Sequence, residues 1–161
     1  MATPEFVLEL RKHLGHAPLP LPSVTAVVFD DRGRVLLNQR SDDRQWSLLA
    51  GVLDPGEQPA AGAIREVREE TAVDIVVERI VGVEALPLRT LANGDQVYWF
   101  EVVLACRAVG GEARVNDDES LDVRWFEPDA LPTLNERQTR YLRQASDETA
   151  QPFFVGSSSQ I

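Results

Sequence analysis

The sequence predicts a chain of the α/β class, α+β in character, in which a mixed sheet is layered between helices as an α/β/α sandwich. Three observations predict it. A helical stretch opens at Pro59 in the middle of the chain and carries apolar positions up to about Thr71. Strand-like runs lie on both sides of that stretch, and amphipathic helical patterns stand near the two ends. With 161 residues and 43% hydrophobic content the chain is long enough to bury one real core, and a single domain over residues 1–161 accounts for it.

Phe6, Val7, Leu10 and Leu14 recur at helical spacing, which predicts a short amphipathic helix over residues 4–14. The proline-rich residues 17–22 read as a connector, and the core of the domain is expected over 23–134. Residues 23–29 and 34–39 are strand-like and are joined by Asp30-Asp31-Arg32-Gly33, a hairpin signal. Residues 74–88 are rich in β-branched side chains, and Asn93-Gly94 is a turn that would fold 97–108 back on the preceding strand. A closing helix is expected over 135–145 with Tyr141 and Leu142 inward, then a flexible tail over 146–161. In that tail Phe153-Phe154-Val155 is able to dock on the body or on a second subunit.

A net charge of −10 and a pI near 4.6 argue against a nucleic-acid polymer as partner, because no basic stripe is present to release counterions. No apolar run is long enough to span a bilayer, and the N-terminus lacks the apolar core of a signal peptide, so a cytoplasmic location without a membrane partner is expected. Cys106, the single cysteine, sits in the apolar run Val102-Val103-Leu104-Ala105 and reads as a packed strand residue rather than a nucleophile.

The chemistry concentrates in residues 51–73, GVLDPGEQPAAGAIREVREETAV. Pro55-Gly56 is a turn and Pro59 suits a helix start, so the segment is a loop followed by a helix. Along that helix Glu66, Glu69 and Glu70 stand at offsets of three and four, on neighbouring turns of one side, while Ala63, Ile64 and Val67 can face a core. Like charges at that spacing destabilise an isolated helix by roughly a few tenths of a kcal/mol per pair. A hard cation such as Mg²⁺, which takes oxygen ligands together with substrate phosphates, reverses the sign. The competing reading is a solvated acidic face paired with Arg65 and Arg68.

Gly51, five residues, Glu57, seven residues, Arg65-Glu66-Val67, one residue, Glu69-Glu70, one residue, Ala72-Val73: this pattern resembles the Nudix box, G-x5-E-x7-R-E-U-x-E-E-x-G-U, with U a bulky aliphatic. Every charged position matches. Ala72 departs from the usual glycine, where a C-terminal cap with positive φ would suit it, so a different cap geometry or modest strain is expected there. Leu49-Ala50 stands where many relatives have Pro-Gly.

The resemblance, which covers roughly residues 23–134, implies the Nudix fold and a hydrolase that cleaves a nucleoside diphosphate joined to another group, using Mg²⁺ or Mn²⁺. It implies that Glu66, Glu69, Glu70 and the carbonyl of Gly51 hold metal, and that one glutamate serves as general base. Arg65 would orient and charge-balance the glutamates, and Glu57 would steady the loop against the helix. A further acidic residue in the family often precedes a late strand; in Asp117-Asp118-Glu119 the choice is Glu119.

Substrate choice lies outside the box. Arg40 and Arg44 are candidates to meet phosphate, against an ion pair with Asp42 or Asp43. Trp46 is a candidate to stack a base, against a core position. The expected substrate is a small nucleotide, ADP-ribose or another nucleotide sugar ahead of nucleoside triphosphates. The alternative is a Nudix module that senses nucleotide without turnover. Isoprenoid diphosphate isomerase chemistry, which in the family needs a cysteine ahead of the box, is disfavoured because Cys106 follows it. A homodimer is expected by analogy with relatives that pair through edge strands or N-terminal segments.

Overall fold

The computed structural model describes residues 3–154. The chain opens with helix α1 (Glu5–Leu14), whose Val7 is buried, as the apolar spacing requires. Gly15 ends it, its N–H donating to the Arg11 carbonyl. Strand β1 then runs over Leu19–Phe29, longer than the sequence suggests. Residues 19–22 of the segment read as a proline connector open this strand, paired parallel to a later strand from Leu19 onward. Pro20 and Pro22 fit because a proline is tolerated where its missing N–H faces no partner strand, and the second neighbour of β1 joins only at Ser23.

Strands β2 (Val35–Arg40), β3 (Trp46–Ser47) and β4 (Leu49–Val52) lead into helix α2 (Pro59–Thr71). Beyond it lie β5 (Val73–Ala85), β6 (Arg89–Thr90), β7 (Gln96–Gly111), β8 (Ser120–Phe126), α3 (Glu136–Ser146) and β9 (Phe153–Phe154). Among the described residues nine strands form one mixed sheet, ordered β3-β2-β1-β7-β5-β9, with β4 on β1, β6 on β7 and β8 on β2. β7 is its spine, parallel to β1 and antiparallel to β5.

Alternation along the strands feeds two cores. Val24, Ala26 and Val28 of β1 with Leu104 and Cys106 of β7 pack on Ala63 and Val67 of α2. Val27 of β1 with Val103 and Ala105 of β7 packs on Tyr141, Leu142 and Ala145 of α3. Cys106 is 1% exposed, and burial pushes its thiol up to about 12, the behaviour of a packing residue. α1 closes a third cluster with Leu19, Leu21 and Val97, and is tied down by Arg11, which pairs with Asp95 and donates to the carbonyl of Gln96.

Within the segment expected as a tail, Phe153-Phe154 docks on the body of the molecule. Phe153 and Phe154 form β9, parallel to Gly82 and Val83 of β5. Gly82 makes room for this: a Cβ there would lie 2.4 Å from the Phe153 ring. Phe153 stacks on Tyr141 at 5.7 Å between centroids. Val155 lies outside the described residues. No helix among them is long and apolar enough to cross a membrane.

Candidate active site

Helix α2 begins at Pro59, whose missing N–H costs nothing in the first turn, and buries Gly62, Ala63 and Val67 against the sheet. A Cβ on Gly62 would meet Leu53 at 2.3 Å and Glu57 at 3.1 Å, so this helix-interior glycine lets the preceding loop lie on the helix. Ile64, expected to face the core, is 40% exposed, while Glu70 is 6% exposed: the buried stripe runs through 63, 67 and 70. The helix ends at Ala72 in the left-handed conformation (φ 59°), its N–H bonded to the Arg68 carbonyl. Alanine therefore keeps the cap geometry that glycine favours and bears the strain.

Arg65 joins the loop to the helix. Its Nε and one terminal nitrogen donate to the two oxygens of Glu57 at 2.9 and 2.8 Å, and the same terminal nitrogen donates to the Val52 carbonyl at 3.2 Å. The other terminal nitrogen donates to Glu66 at 2.9 Å and Glu69 at 3.2 Å. Glu57 also accepts from the N–H of Asp54 at 3.0 Å, closing the turn ahead of the helix.

Glu66 lies directly on Gly51: a Cβ at position 51 would be 1.9 Å from its carboxyl carbon. Only glycine lets the carboxylate approach the β4 backbone so closely. Burial, with the charges of Glu69 and Glu119 adding to it, pushes the Glu66 carboxyl up to about 7 despite Arg65. Burial likewise pushes Glu70 well above the usual carboxylate range, and the charges of Glu66, Asp117 and Glu119 add to this. Glu70 Oε2 accepts from the side-chain amide of Asn38 on β2 at 3.0 Å, and the same nitrogen donates to the Ser120 hydroxyl at 3.2 Å.

The acidic loop before β8 is fastened to the end of α2. The Asn116 N–H donates to the Glu70 carbonyl, and its side-chain amide donates to the carbonyls of Arg68 and Glu69, each at 3.1 Å. Of these carbonyls, Arg68's also accepts from the Ala72 N–H, and those of Glu69 and Glu70 lie in the last turn, where a helix end leaves carbonyls without intrahelical partners. Asp117 accepts from the N–H groups of Glu119 and Ser120 at 3.2 Å, and the Ser41 N–H donates to the Glu119 carbonyl at 2.8 Å. Glu119 thereby joins Val52, Asp54, Arg65, Glu66 and Glu69 around a cleft of about 240 Å³, with Pro4 and Glu5 of the N-terminal segment at its rim.

The donor set suits a hard cation in kind: clustered carboxylates that raise one another's proton affinity, beside a glycine backbone with no side chain in the way. In geometry it is not closed. Among the described residues no three acidic, histidine or cysteine side chains already stand as a metal cluster. Arg65 holds Glu66 and Glu69, and Asn38 holds Glu70.

Arg40, Arg44 and Trp46 do not line this cleft. Arg40 forms a two-pronged pair with Asp42, with Nε at 2.9 Å. Arg44 sits in the β2–β3 turn with φ 61° and its carbonyl accepts from Gln39. Trp46 packs edge-on against Phe126 at 4.8 Å, with the Arg124 guanidinium 5.9 Å over its ring, on the α3 side of the sheet. The ion-pair reading describes Arg40 and the core reading describes Trp46 as they stand. Asn38, Asn116 and Ser120 went unread in the sequence; the one signal was a polar residue following Val35-Leu36-Leu37 in an apolar strand.

Residues 19–145 match the NUDIX domain. A MutT-like protein of Streptomyces ambofaciens is 36% identical over 114 residues, 71% of this chain and 68% of the relative. A putative 8-oxo-dGTP diphosphatase of Bacillus subtilis is 29% identical, with 66% of each chain covered. The crystal structure of an ADP-ribose pyrophosphatase from Streptococcus suis superposes with TM-score 0.63 at 24% identity, over 83% of this chain and 98% of that one, which speaks to the fold. With the matched domain spanning both the sheet and the acidic helix, the chain belongs to the Nudix family of pyrophosphohydrolases.

Proposed function

We propose that this chain is a metal-dependent hydrolase of the pyrophosphate bond in a nucleoside diphosphate joined to another group, with ADP-ribose or another nucleotide sugar ahead of nucleoside triphosphates. The observation that carries the reading is the gathering of Glu66, Glu69 and Glu119 on one cleft, beside the buried Glu70. The substrate in the name of the similar putative 8-oxo-dGTP diphosphatase contains a nucleoside diphosphate, the part of the substrate this reading commits to.

Glu66, Glu69, Glu70 and the Gly51 carbonyl would hold the cation. A bound Mg²⁺ or Mn²⁺ supplies positive charge against the pyrophosphate oxygens and promotes ionisation of water. A carboxylate of the cleft, Glu119 or one of the helix glutamates, takes the proton of the attacking water as the bridging P–O bond breaks. Arg65 keeps Glu66 and Glu69 at the cleft while balancing their charge, and Glu57 anchors Arg65 to the loop. Arg40 would meet phosphate by exchanging Asp42 for it.

One observation favours the rival reading of a nucleotide sensor without turnover: the carboxylates stand bonded to Arg65 and Asn38 rather than as a closed metal cluster. Phosphate release from nucleotide sugars, nucleoside triphosphates and dinucleotides with Mg²⁺ or Mn²⁺, read through a coupled phosphatase, separates the two. Turnover lost in a Glu69→Gln, Glu70→Gln double variant supports the hydrolase and names its substrate. Silence across the panel with nucleotide binding intact favours the sensor.

A further inference from the structure

Asn38 lies on β2, well ahead of the acidic motif, and is 6% exposed. On the same face of the strand Leu36 is fully buried in the apolar core beneath α2. A second aliphatic side chain would suit position 38, so the polar group there needs a reason. Its amide nitrogen has two acceptors, Glu70 Oε2 and the Ser120 hydroxyl, whereas its Oδ1 is buried without a hydrogen-bond partner. Buried polar atoms without partners are rare and costly. The side chain is therefore kept for its two N–H groups: one reaches a glutamate of the catalytic helix, the other the first residue of β8, beside the acidic loop.

We infer that Asn38 is a positioning residue that fixes the rotamer of Glu70 through Oε2, turning the other carboxylate oxygen toward the cleft, and sets the acidic loop in register with it. This rests on the metal-dependent reading above. A glutamate side chain has three rotatable bonds, and pre-orienting its carboxylate spares the ordering that cation binding would otherwise demand. Outer partners of metal-binding carboxylates typically change metal affinity by about 10–100-fold when removed. The geometry also assigns the direction of the bond. The amide donates and the carboxylate accepts, so an Asn38 oxygen turned toward Glu70 would oppose the ionised form.

The test is Mn²⁺ affinity of the full chain, measured calorimetrically without substrate, for wild type, Asn38→Val, Glu70→Gln and the double variant. Valine suits a strand and cannot donate. Asn38→Ser, too short to reach both acceptors, is read the same way should the valine variant not fold. The expected result is an affinity loss of about 10-fold or more for Asn38→Val. In the Glu70→Gln background the further loss should be less than about 3-fold, because the partner through which Asn38 acts is already altered. A purely structural role would give the same loss in both backgrounds, and that result overturns the inference, as does an unchanged affinity in folded Asn38→Val. Absence of Mn²⁺ binding by the wild type would instead bring down the metal-dependent reading itself, and this inference with it.

Discussion

The sheet carries two clusters of acidic side chains, one toward α2 with Glu70 buried and Glu69 exposed, and one toward α3 with both carboxylates buried, and they are built in opposite ways. Toward α3, Glu84 and Glu101 lie opposite each other on β5 and β7. Glu101 accepts from the Thr25 hydroxyl, from Tyr141 at 2.7 Å and from Arg137 at 3.3 Å. Glu84 accepts from Arg140 and shares with Glu101 the single proton of the Tyr141 hydroxyl, which lies within hydrogen-bond distance of both. Each carboxylate there has its own guanidinium. Toward α2, one guanidinium, Arg65, is divided among Glu57, Glu66 and Glu69, and Glu70 rests on the neutral amide of Asn38. Both clusters desolvate charge, but the one toward α3 carries a guanidinium for each carboxylate and the one toward α2 does not. Burial of acid alone does not mark a site; the shortfall of local cations does.

The largest effect that would sharpen this contrast is on turnover. Glu70→Gln should lower kcat by about 10³-fold, the scale of losing a charge-stabilising contact at a reacting centre, while the fold persists by circular dichroism. Wild-type kcat in that variant would place Glu70 with the structural acids. Next comes the metal: Mn²⁺ at about 100 times its dissociation constant should stabilise the protein by about 2.7 kcal/mol, seen as a rise in melting temperature. That rise should vanish in Glu66→Gln and survive in Tyr141→Phe.

Tyr141→Phe removes the hydroxyl shared by Glu84 and Glu101 and should cost about 1–3 kcal/mol in urea denaturation, with kcat/KM near that of the wild type. A large fall in kcat/KM would mean that the two clusters are coupled across the sheet. The smallest effect is at the cap. Ala72→Gly relieves the left-handed alanine and should stabilise by about 1 kcal/mol, measured the same way.

The α2 cluster was legible in the sequence because its parts are local. Gly51, Glu57, Arg65, Glu66, Glu69 and Glu70 fall within one loop and one helix, where spacing translates directly into geometry. Asn38 was not legible, because its role depends on the antiparallel register of β2 with β8, which brings Ser120 beside it, and on the packing of α2 on the sheet, which brings Glu70 beside it. The α3 cluster was invisible for the same reason: Glu84 and Glu101 meet only through the β5–β7 pairing, past several register shifts. Residues 17–22 misled because prolines in a strand look like a connector until the neighbouring strands are known. Arg40 has a sequence-local partner in Asp42, which the sequence named, whereas Trp46 packs on the distant Phe126, which it did not.

Phe153 occupies the notch above Gly82 and covers the ring of Tyr141, with the Arg140 guanidinium 4.9 Å over its own ring. The last strand thus acts as a weather seal for the α3 acids. A chain ended after Ser146 would keep every residue of α2 yet open the Glu84–Tyr141 pair to water. Its shortened life on heating would then read as a leak at the far end of the molecule, with the chemistry itself untouched.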